Sequence, residues 1–161
     1  MEENVFAEEL AEAIRGEEEA ARFYAEAAAK TSDPSGAAMF RELAAFERHH
    51  REHLEALRGS LARQGGWVAY PPREFPAVPP EGGKAPRLPE GERADAAFAL
   101  RTALAAEERA EARYRELAGK APSGEGRKMF HRLAEEEAMH RRLLDDQLFA
   151  LSNRGVWLWG D

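Results

Sequence analysis

Hydrophobic residues recur at spacings of three and four positions in four separate stretches of the chain. Such spacing places them on one face of a helix, so it predicts four amphipathic α-helices at about 4–30, 34–58, 95–119 and 124–152. Between the second and third stretches, residues 59–93 contain seven of the nine prolines and six of the thirteen glycines. Proline removes a backbone donor and clashes with the preceding helical turn, so this segment is predicted to be a loop.

The two helical halves of the chain repeat each other. Two pairs of segments align without a gap at an offset of 90 residues: EEEAARFYAEAA at 17–28 with EERAEARYRELA at 107–118, and MFRELAAFERHH at 39–50 with MFHRLAEEEAMH at 129–140. Asp33 and Ser123 match at the same offset and are good N-caps. One hairpin cannot bury its own apolar stripe, so two must pack together.

The predicted architecture is a single all-α domain, a four-helix bundle built from two repeated hairpins. The segments are a hairpin at 4–58, a crossover loop at 59–93, a second hairpin at 95–152 and a C-terminal tail at 153–161. A loop this long is uncommon inside a compact domain, so it needs a structural reason.

Polar residues interrupt the middle of each apolar stripe. On the first and third helices the interruption is a glutamate, and on the second and fourth it is a glutamate followed three residues later by a histidine. The six residues are Glu17, Glu47, His50, Glu107, Glu137 and His140. Four carboxylates at one depth of a core are destabilised by desolvation and mutual repulsion unless cations lie among them. Two divalent ions would balance the four charges, so the pattern indicates a dinuclear metal site.

The residue types and their spacing narrow the choice of metal. Glu-x-x-His puts both side chains on one helical face, where both can reach one ion. Mixed carboxylate and imidazole ligands suit iron or manganese, with zinc as an alternative. The repeat selects Glu17 rather than Glu19, because Glu17 aligns with Glu107 whereas Glu19 aligns with Arg109. The competing interpretation is a structural helical bundle whose acids lie on a solvent-exposed face.

Other polar residues lie near these positions. Tyr24 and Tyr114 follow the first- and third-helix glutamates by two turns, so their hydroxyls either hydrogen-bond ligand carboxylates, carry an electron, or are ordinary core hydroxyls. Glu111 is either an additional ligand or a polar residue at the edge of the third stripe. Three further histidines fall off the traced faces and are expected at the surface: His49, His53 and His131.

The composition excludes several classes of protein. The chain has 161 residues, a formal net charge of −7 and no cysteine, which excludes disulfides, thiolate metal ligands and a cysteine nucleophile. The negative charge argues against a nucleic-acid or anionic-membrane partner. No apolar stretch approaches the ~20 residues that span a bilayer. The acidic first residues also differ from a signal peptide, so a cytoplasmic protein is expected.

With these residues the sequence resembles the ferritin-like di-iron proteins, and among them the rubrerythrin-like group. The resemblance rests on EEEAARFY, ERHH, EERAEARY and EAMH, and it covers both helical halves. It implies a ferritin-like four-helix bundle that holds two iron ions. The ligand roles it implies are bridging for Glu47 and Glu137, terminal for Glu17 and Glu107, and one histidine, His50 or His140, for each iron.

Two departures from that group bear on the chemistry. Rubrerythrins carry a further glutamate three residues after the third-helix ligand, where this chain has Ala110. They usually also carry a cysteine-rich rubredoxin domain that supplies electrons, and this chain has no cysteine. The resemblance therefore implies reduction of hydrogen peroxide or O2 at a di-iron centre by an external electron donor. The alternatives are a ferroxidase, a hydroxylase similar to the quinone-modifying members of the superfamily, or a non-enzymatic bundle.

The resemblance also gives the long loop a reason, because the second and third helices would be parallel and their connection would travel the length of the bundle. Trp67, Tyr70 and Phe75 are expected to pin this connection to the side of the bundle. Trp157 and Trp159 in the tail either cover one end or belong to an oligomer interface or a docking peptide. The slack in the loop would let two protomers exchange a hairpin, so we expect a homodimer, exchanged or not.

Overall fold

The computed structural model describes residues 2–75 and 87–158, with side chains from residue 6 onward. Its helices are α1 (Glu2–Lys30), α2 (Pro34–Ala62), α3 (Glu90–Lys120) and α4 (Gly124–Arg154). No strand occurs in these two ranges, which confirms the all-α class. The crossover is shorter than predicted, because α2 continues to Ala62 and α3 begins at Glu90 with an acidic first turn that suits a helix N-terminus. None of the four helices has the length and apolarity needed to cross a membrane.

The tight turns inside the hairpins start α2 and α4 with the predicted caps. The Asp33 carboxylate accepts a hydrogen bond from the Gly36 backbone N–H at 3.0 Å, and Pro34 occupies the first turn of α2. The Ser123 hydroxyl accepts from the Gly126 N–H at 3.1 Å. Each bond satisfies a donor that the first helical turn leaves unpaired. The caps thereby fix where α2 and α4 begin and which of their residues face the core.

The helices form two antiparallel hairpins, α1–α2 and α3–α4, with α2 parallel to α3. At one end, Lys120 at the end of α3 donates to Glu9 near the start of α1 at 2.6 Å, and Phe6 of α1 packs on Phe130 of α4. At the other end, the tail after α4 lies against Gly36 at the start of α2. The connection from α2 to α3 must therefore run the length of the bundle.

Two apolar clusters fill the ends of the bundle, with a polar layer between them. One cluster contains Leu43, Leu100 and Trp157, and the other contains Leu54 and Phe130. All five residues are buried, and Leu43, Leu54 and Leu100 lie on the apolar stripes that the sequence predicted. Packing at both ends therefore fixes the depth at which the polar residues of the four helices meet.

Two tryptophans anchor the segments that follow α2 and α4. Trp67 lies over Gly126 and Trp157 lies over Gly36, and a Cβ on either glycine would fall 2.6 Å from the indole. The two pairs are related by the same 90-residue offset, so the repeat extends beyond the helices. Trp157 is 2% exposed and covers the end of its own bundle. Trp159 lies outside the described residues.

Residues 67–75, which we call the crossover segment, cover the face between α2 and α4. The Phe75 ring stacks on Phe46 with centroids 5.5 Å apart, and the Tyr70 ring lies 4.9 Å from His53. These contacts and those of Trp67 confirm that the three aromatic residues hold the segment to the bundle. The expectation that His53 is a surface residue is wrong, because Tyr70 covers it and leaves it 6% exposed.

Candidate metal centre

Six side chains from the four helices meet in the polar layer. They form two groups whose donor atoms lie within 4.8 Å of one another: Glu17, Glu47, His50 and Glu137 in one, and Glu47, Glu107, Glu137 and His140 in the other. Glu47 and Glu137 belong to both groups, and each of the other four belongs to one. All six were selected from the sequence by the repeat and by the interrupted stripes.

The carboxylates of this layer are buried and incompletely paired. Each of the six residues is at most 2% exposed. Within the described part of the chain, Glu17 Oε2, Glu107 Oε2 and Glu137 Oε2 have no hydrogen-bond partner, and the contact of Glu137 Oε1 with His50 Nδ1 at 2.8 Å is not aligned as a hydrogen bond. Leaving charged oxygens buried without partners is strongly unfavourable. Oxygens of this kind around a common centre are suited to bind cations, and together with imidazole they fit iron, manganese or zinc.

Each histidine turns the same ring atom toward the carboxylates. His50 Nδ1 lies 2.8 Å from Glu137 Oε1 and 3.4 Å from Glu17 Oε1. His140 Nδ1 lies 3.2 Å from Glu47 Oε1. The two rings are nearly parallel, with an interplanar angle of 21° and centroids 6.3 Å apart. Nδ1 is therefore the atom that each histidine offers to a metal, and the tautomer with a free Nδ1 lone pair is the one required.

The crowded acids shift each other's ionisation in the metal-free protein. Burial, followed by repulsion from Glu47, raises the pKa of Glu17 to about 8. Burial and neighbouring carboxylates raise the pKa of Glu137 to about 7. Burial alone would lower the pKa of His50 and His140, but the carboxylates around them raise it well above the usual value. Without metal the layer therefore holds protons near neutral pH, and a cation can replace them.

Two buried tyrosines connect the hairpins across the centre. The Tyr24 hydroxyl on α1 donates to Glu107 Oε1 on α3 at 2.6 Å, and the Tyr114 hydroxyl on α3 donates to Glu17 Oε1 on α1. Burial and the facing carboxylates raise the pKa of both phenols well above the usual value, so both remain protonated donors. Each tyrosine thus holds one oxygen of a glutamate and leaves the other oxygen without a partner.

Glu111, considered from the sequence as an additional ligand, lies outside both groups. Its carboxylate accepts hydrogen bonds from Arg115 Nη2 at 2.8 Å and from Arg141 Nε at 3.2 Å. Hydrogen bonding to Arg115, supported by Arg141, lowers the pKa of Glu111. In this structure Glu111 lies at the edge of the stripe and joins α3 to α4 through its ion pair with Arg141.

One buried acid beside the centre was not identified from the sequence. Glu136 Oε1 accepts hydrogen bonds from His50 Nε2 at 3.1 Å and from the Tyr70 hydroxyl, and its Oε2 accepts from Arg132 Nε at 3.1 Å. Glu136 lies one position off the traced stripe, and the crossover segment covers it. Comparison of the two repeats does show a difference at this position, since Phe46 in the first half matches Glu136 in the second.

The family comparison agrees with this architecture. The rubrerythrin family model matches residues 8–80 and 99–153, which include both hairpins and all six residues of the centre. No curated protein and no solved structure matches the chain significantly. The four-helix bundle is ferritin-like, and its buried Glu and His side chains are compatible with a di-iron site. The chain belongs to the rubrerythrin family.

Proposed function

We propose that the protein is a non-haem di-iron oxidoreductase that reduces hydrogen peroxide or O2 with electrons from an external donor. The supporting observation is the pair of donor groups that share Glu47 and Glu137 in a buried layer with unpaired carboxylate oxygens. In this proposal Glu47 and Glu137, which belong to both donor groups, would help to hold both ions. Glu17 and His50 would complete the ligands of one ion, and Glu107 and His140 would complete those of the other.

The chain's own residues prepare the layer for this chemistry. Two bound ferrous ions would supply two electrons, which together with two protons convert hydrogen peroxide to two water molecules. The four glutamates balance the charge of two divalent ions, so the loaded layer would be neutral. Apolar clusters exclude water from both ends of the layer. The Tyr24 and Tyr114 hydroxyls orient two of the glutamates and keep a proton beside each.

Ala110 bears on the choice of oxidant. A further glutamate at this position would add negative charge and favour the oxidised centre, whereas alanine leaves the loaded six-ligand layer neutral. The neighbouring Glu111 is held by Arg115 and Arg141 and does not replace it. We therefore expect the reduced protein to react with both hydrogen peroxide and O2 without a large preference for peroxide.

The test is anaerobic loading with Fe(II), removal of unbound iron, and rapid mixing with either oxidant while absorbance is recorded. The proposal predicts oxidation by both oxidants, retention of the iron, and repeated cycles when a chemical reductant returns the electrons. Glu47→Ala/Glu137→Ala should bind little iron and oxidise it no faster than buffer does. Glu19→Ala is the matched control, because Glu19 is an exposed acid on α1 and should change nothing.

Three results would contradict parts of this proposal. Release of Fe(III) after a single oxidation would identify a ferroxidase instead. Oxidation by peroxide several orders of magnitude faster than by O2 would contradict the expected lack of preference. Absence of bound metal in the wild-type protein would leave the non-enzymatic bundle as the remaining interpretation.

A further inference from the structure

The two histidines of the centre have different surroundings on the side that faces away from the carboxylates. His50 Nε2 lies 3.1 Å from Glu136 Oε1. An ionised carboxylate only accepts hydrogen bonds, so Nε2 must carry the proton and Nδ1 must present its lone pair when a metal is bound. The side chain of Glu136 is fully buried, so this hydrogen bond is shielded from water.

His140 has no equivalent support among the residues that the structure describes. Its Nε2 is buried without a hydrogen-bond partner there. Its ring instead meets Phe46 edge-on with centroids 4.6 Å apart, and it also contacts the Phe75 ring at 5.7 Å. Phe46 and Glu136 occupy matching positions in the two repeats, so a single difference between the halves places a carboxylate behind one histidine and a phenyl ring behind the other.

We propose that Glu136 is a positioning residue that makes the His50 position the tighter of two metal positions and the first to fill. The inference rests on the proposed dinuclear site. A carboxylate that accepts the distal N–H of a metal-bound histidine fixes the ring's tautomer and orientation and makes its other nitrogen a stronger donor. His140 lacks this support among the described residues, although both positions share the same two carboxylates.

The crossover segment takes part in this arrangement. The Tyr70 hydroxyl donates to the same Glu136 oxygen that accepts from His50, and Arg132 Nε donates to the other oxygen at 3.1 Å. Three donors therefore hold one carboxylate, and one of them comes from the loop between the hairpins. Contact between the crossover segment and Glu136 is consequently linked to the metal affinity of the His50 position.

The test uses Zn²⁺, which is redox-inert and diamagnetic, added stepwise to the full chain with ¹⁵N-labelled histidine. The ring signals are assigned with His50→Gln and His140→Gln, and calorimetry gives the two dissociation constants. We expect the His50 signals to shift before those of His140, with the two constants about 10–100-fold apart. A protected Nε2 proton should be visible for His50 in the loaded protein.

Glu136→Gln keeps the size of the side chain and an acceptor oxygen but removes its charge. It should weaken the tighter binding step about 10–100-fold, leave the weaker step unchanged and abolish the order of filling. Tyr70→Phe removes the hydrogen bond that the crossover segment donates to Glu136. It should also weaken the tighter binding step, by a smaller factor than Glu136→Gln does. Glu135→Gln is the control, since Glu135 is exposed, lies on the same helix and faces the same Arg132 at 3.9 Å. It should leave both constants and the order unchanged.

The contradicting outcomes separate this inference from the proposed function. Two bound Zn²⁺ ions with both histidines shifting together, or with His140 first, would overturn the inference and leave the dinuclear site standing. Equal weakening of both steps in Glu136→Gln would show a merely structural residue and overturn it too. Failure of the wild-type chain to bind any Zn²⁺ or Fe(II) would overturn the proposed function and this inference together.

Discussion

At the scale of single residues, two acids one turn apart on α3 have opposite surroundings. Glu107 is 2% exposed and its Oε2 has no hydrogen-bond partner among the described residues. Glu111 instead pairs with Arg115 at 2.8 Å and with Arg141 at 3.2 Å. Burial raises the pKa of Glu107, whereas hydrogen bonding to Arg115 lowers that of Glu111. These surroundings suit Glu107 to bind a metal and Glu111 to join two helices.

Glu111→Ala should therefore leave two metal ions per chain and an unchanged absorption spectrum of the oxidised protein. The lost ion pairs should lower the free energy of unfolding by no more than about 1 kcal/mol, because pairs of this exposure contribute little. Metal analysis and absorption spectroscopy check the first result, and urea denaturation checks the second. Glu107→Ala is the comparison on the same helix and should lose metal. An altered spectrum in Glu111→Ala would show that Glu111 is a ligand.

The sequence identified the six central residues because each lies on a helical stripe and each has a partner 90 positions away. Glu136 and His53 satisfy neither condition, and Tyr70 of the crossover segment contributes to the burial of both. Contacts made by an irregular segment leave no periodic pattern, so these burials could not be predicted. The sequence shows only that the two repeats differ at this site, since Phe46 in the first repeat matches Glu136 in the second.

At the scale of elements, the helix boundaries were predicted within one or two turns. The largest difference is at α3, which begins at Glu90 rather than near residue 95. Proline and glycine content suggested a later start, yet Pro89 occupies the N-cap, where a missing backbone N–H costs no hydrogen bond within the helix. The pairing of Trp67 with Gly126 was not predicted, because it depends on where the loop meets the bundle.

Gly126→Ala should destabilise the protein, because the added Cβ would fall 2.6 Å from the Trp67 indole and force it to move. The expected loss is about 1–3 kcal/mol of unfolding free energy, typical of overpacking. Gly124→Ala is the matched control on the same helix, with no atom within 4 Å of the new Cβ. It should be neutral or up to about 1 kcal/mol stabilising, from helix propensity. Equal stability of the two variants in urea denaturation would contradict the docking of Trp67.

At the scale of the whole molecule, the repeat was sufficient to predict two hairpins packed as a bundle. The described chain also has α2 parallel to α3, which explains why the loop must be long.

The same packing brings four acids together, and the stability of the metal-free protein should therefore depend on pH. Burial and neighbouring carboxylates raise the folded pKa of Glu17 to about 8 and that of Glu137 to about 7, both above the usual value for glutamate.

The direction of this dependence follows from proton counts. Between pH 5 and pH 8 the folded metal-free protein binds more protons at Glu17 and Glu137 than the unfolded chain does, and the raised pKa values of His50 and His140 act in the same direction. His53 opposes them in the acidic part of this window, because burial lowers its folded pKa to about 4, but the four raised groups outnumber it. Stability of the metal-free protein should therefore fall as pH rises through this window. Metal binding displaces those protons and should strengthen with pH.

The melting temperatures of the loaded and metal-free proteins should consequently diverge as pH rises from 5 to 8. Binding should stabilise the fold by ~2.7 kcal/mol when free metal is at a hundredfold excess over its dissociation constant. Glu17→Gln should flatten the pH dependence of the metal-free protein, whereas the exposed Glu19→Gln should not. Calorimetric melting curves at several pH values measure this, and identical melting with and without metal would contradict burial of the ligands.

We propose that one chain binds two metal ions between its four helices. Anaerobic equilibrium dialysis against Fe(II), followed by metal analysis, measures the number of bound ions. We expect two ions per chain in the wild-type protein and in Glu19→Ala. Glu47→Ala/Glu137→Ala should lose most of the metal, because these two carboxylates belong to both donor groups. No bound iron in the wild-type chain, or two ions in the double variant, would contradict it.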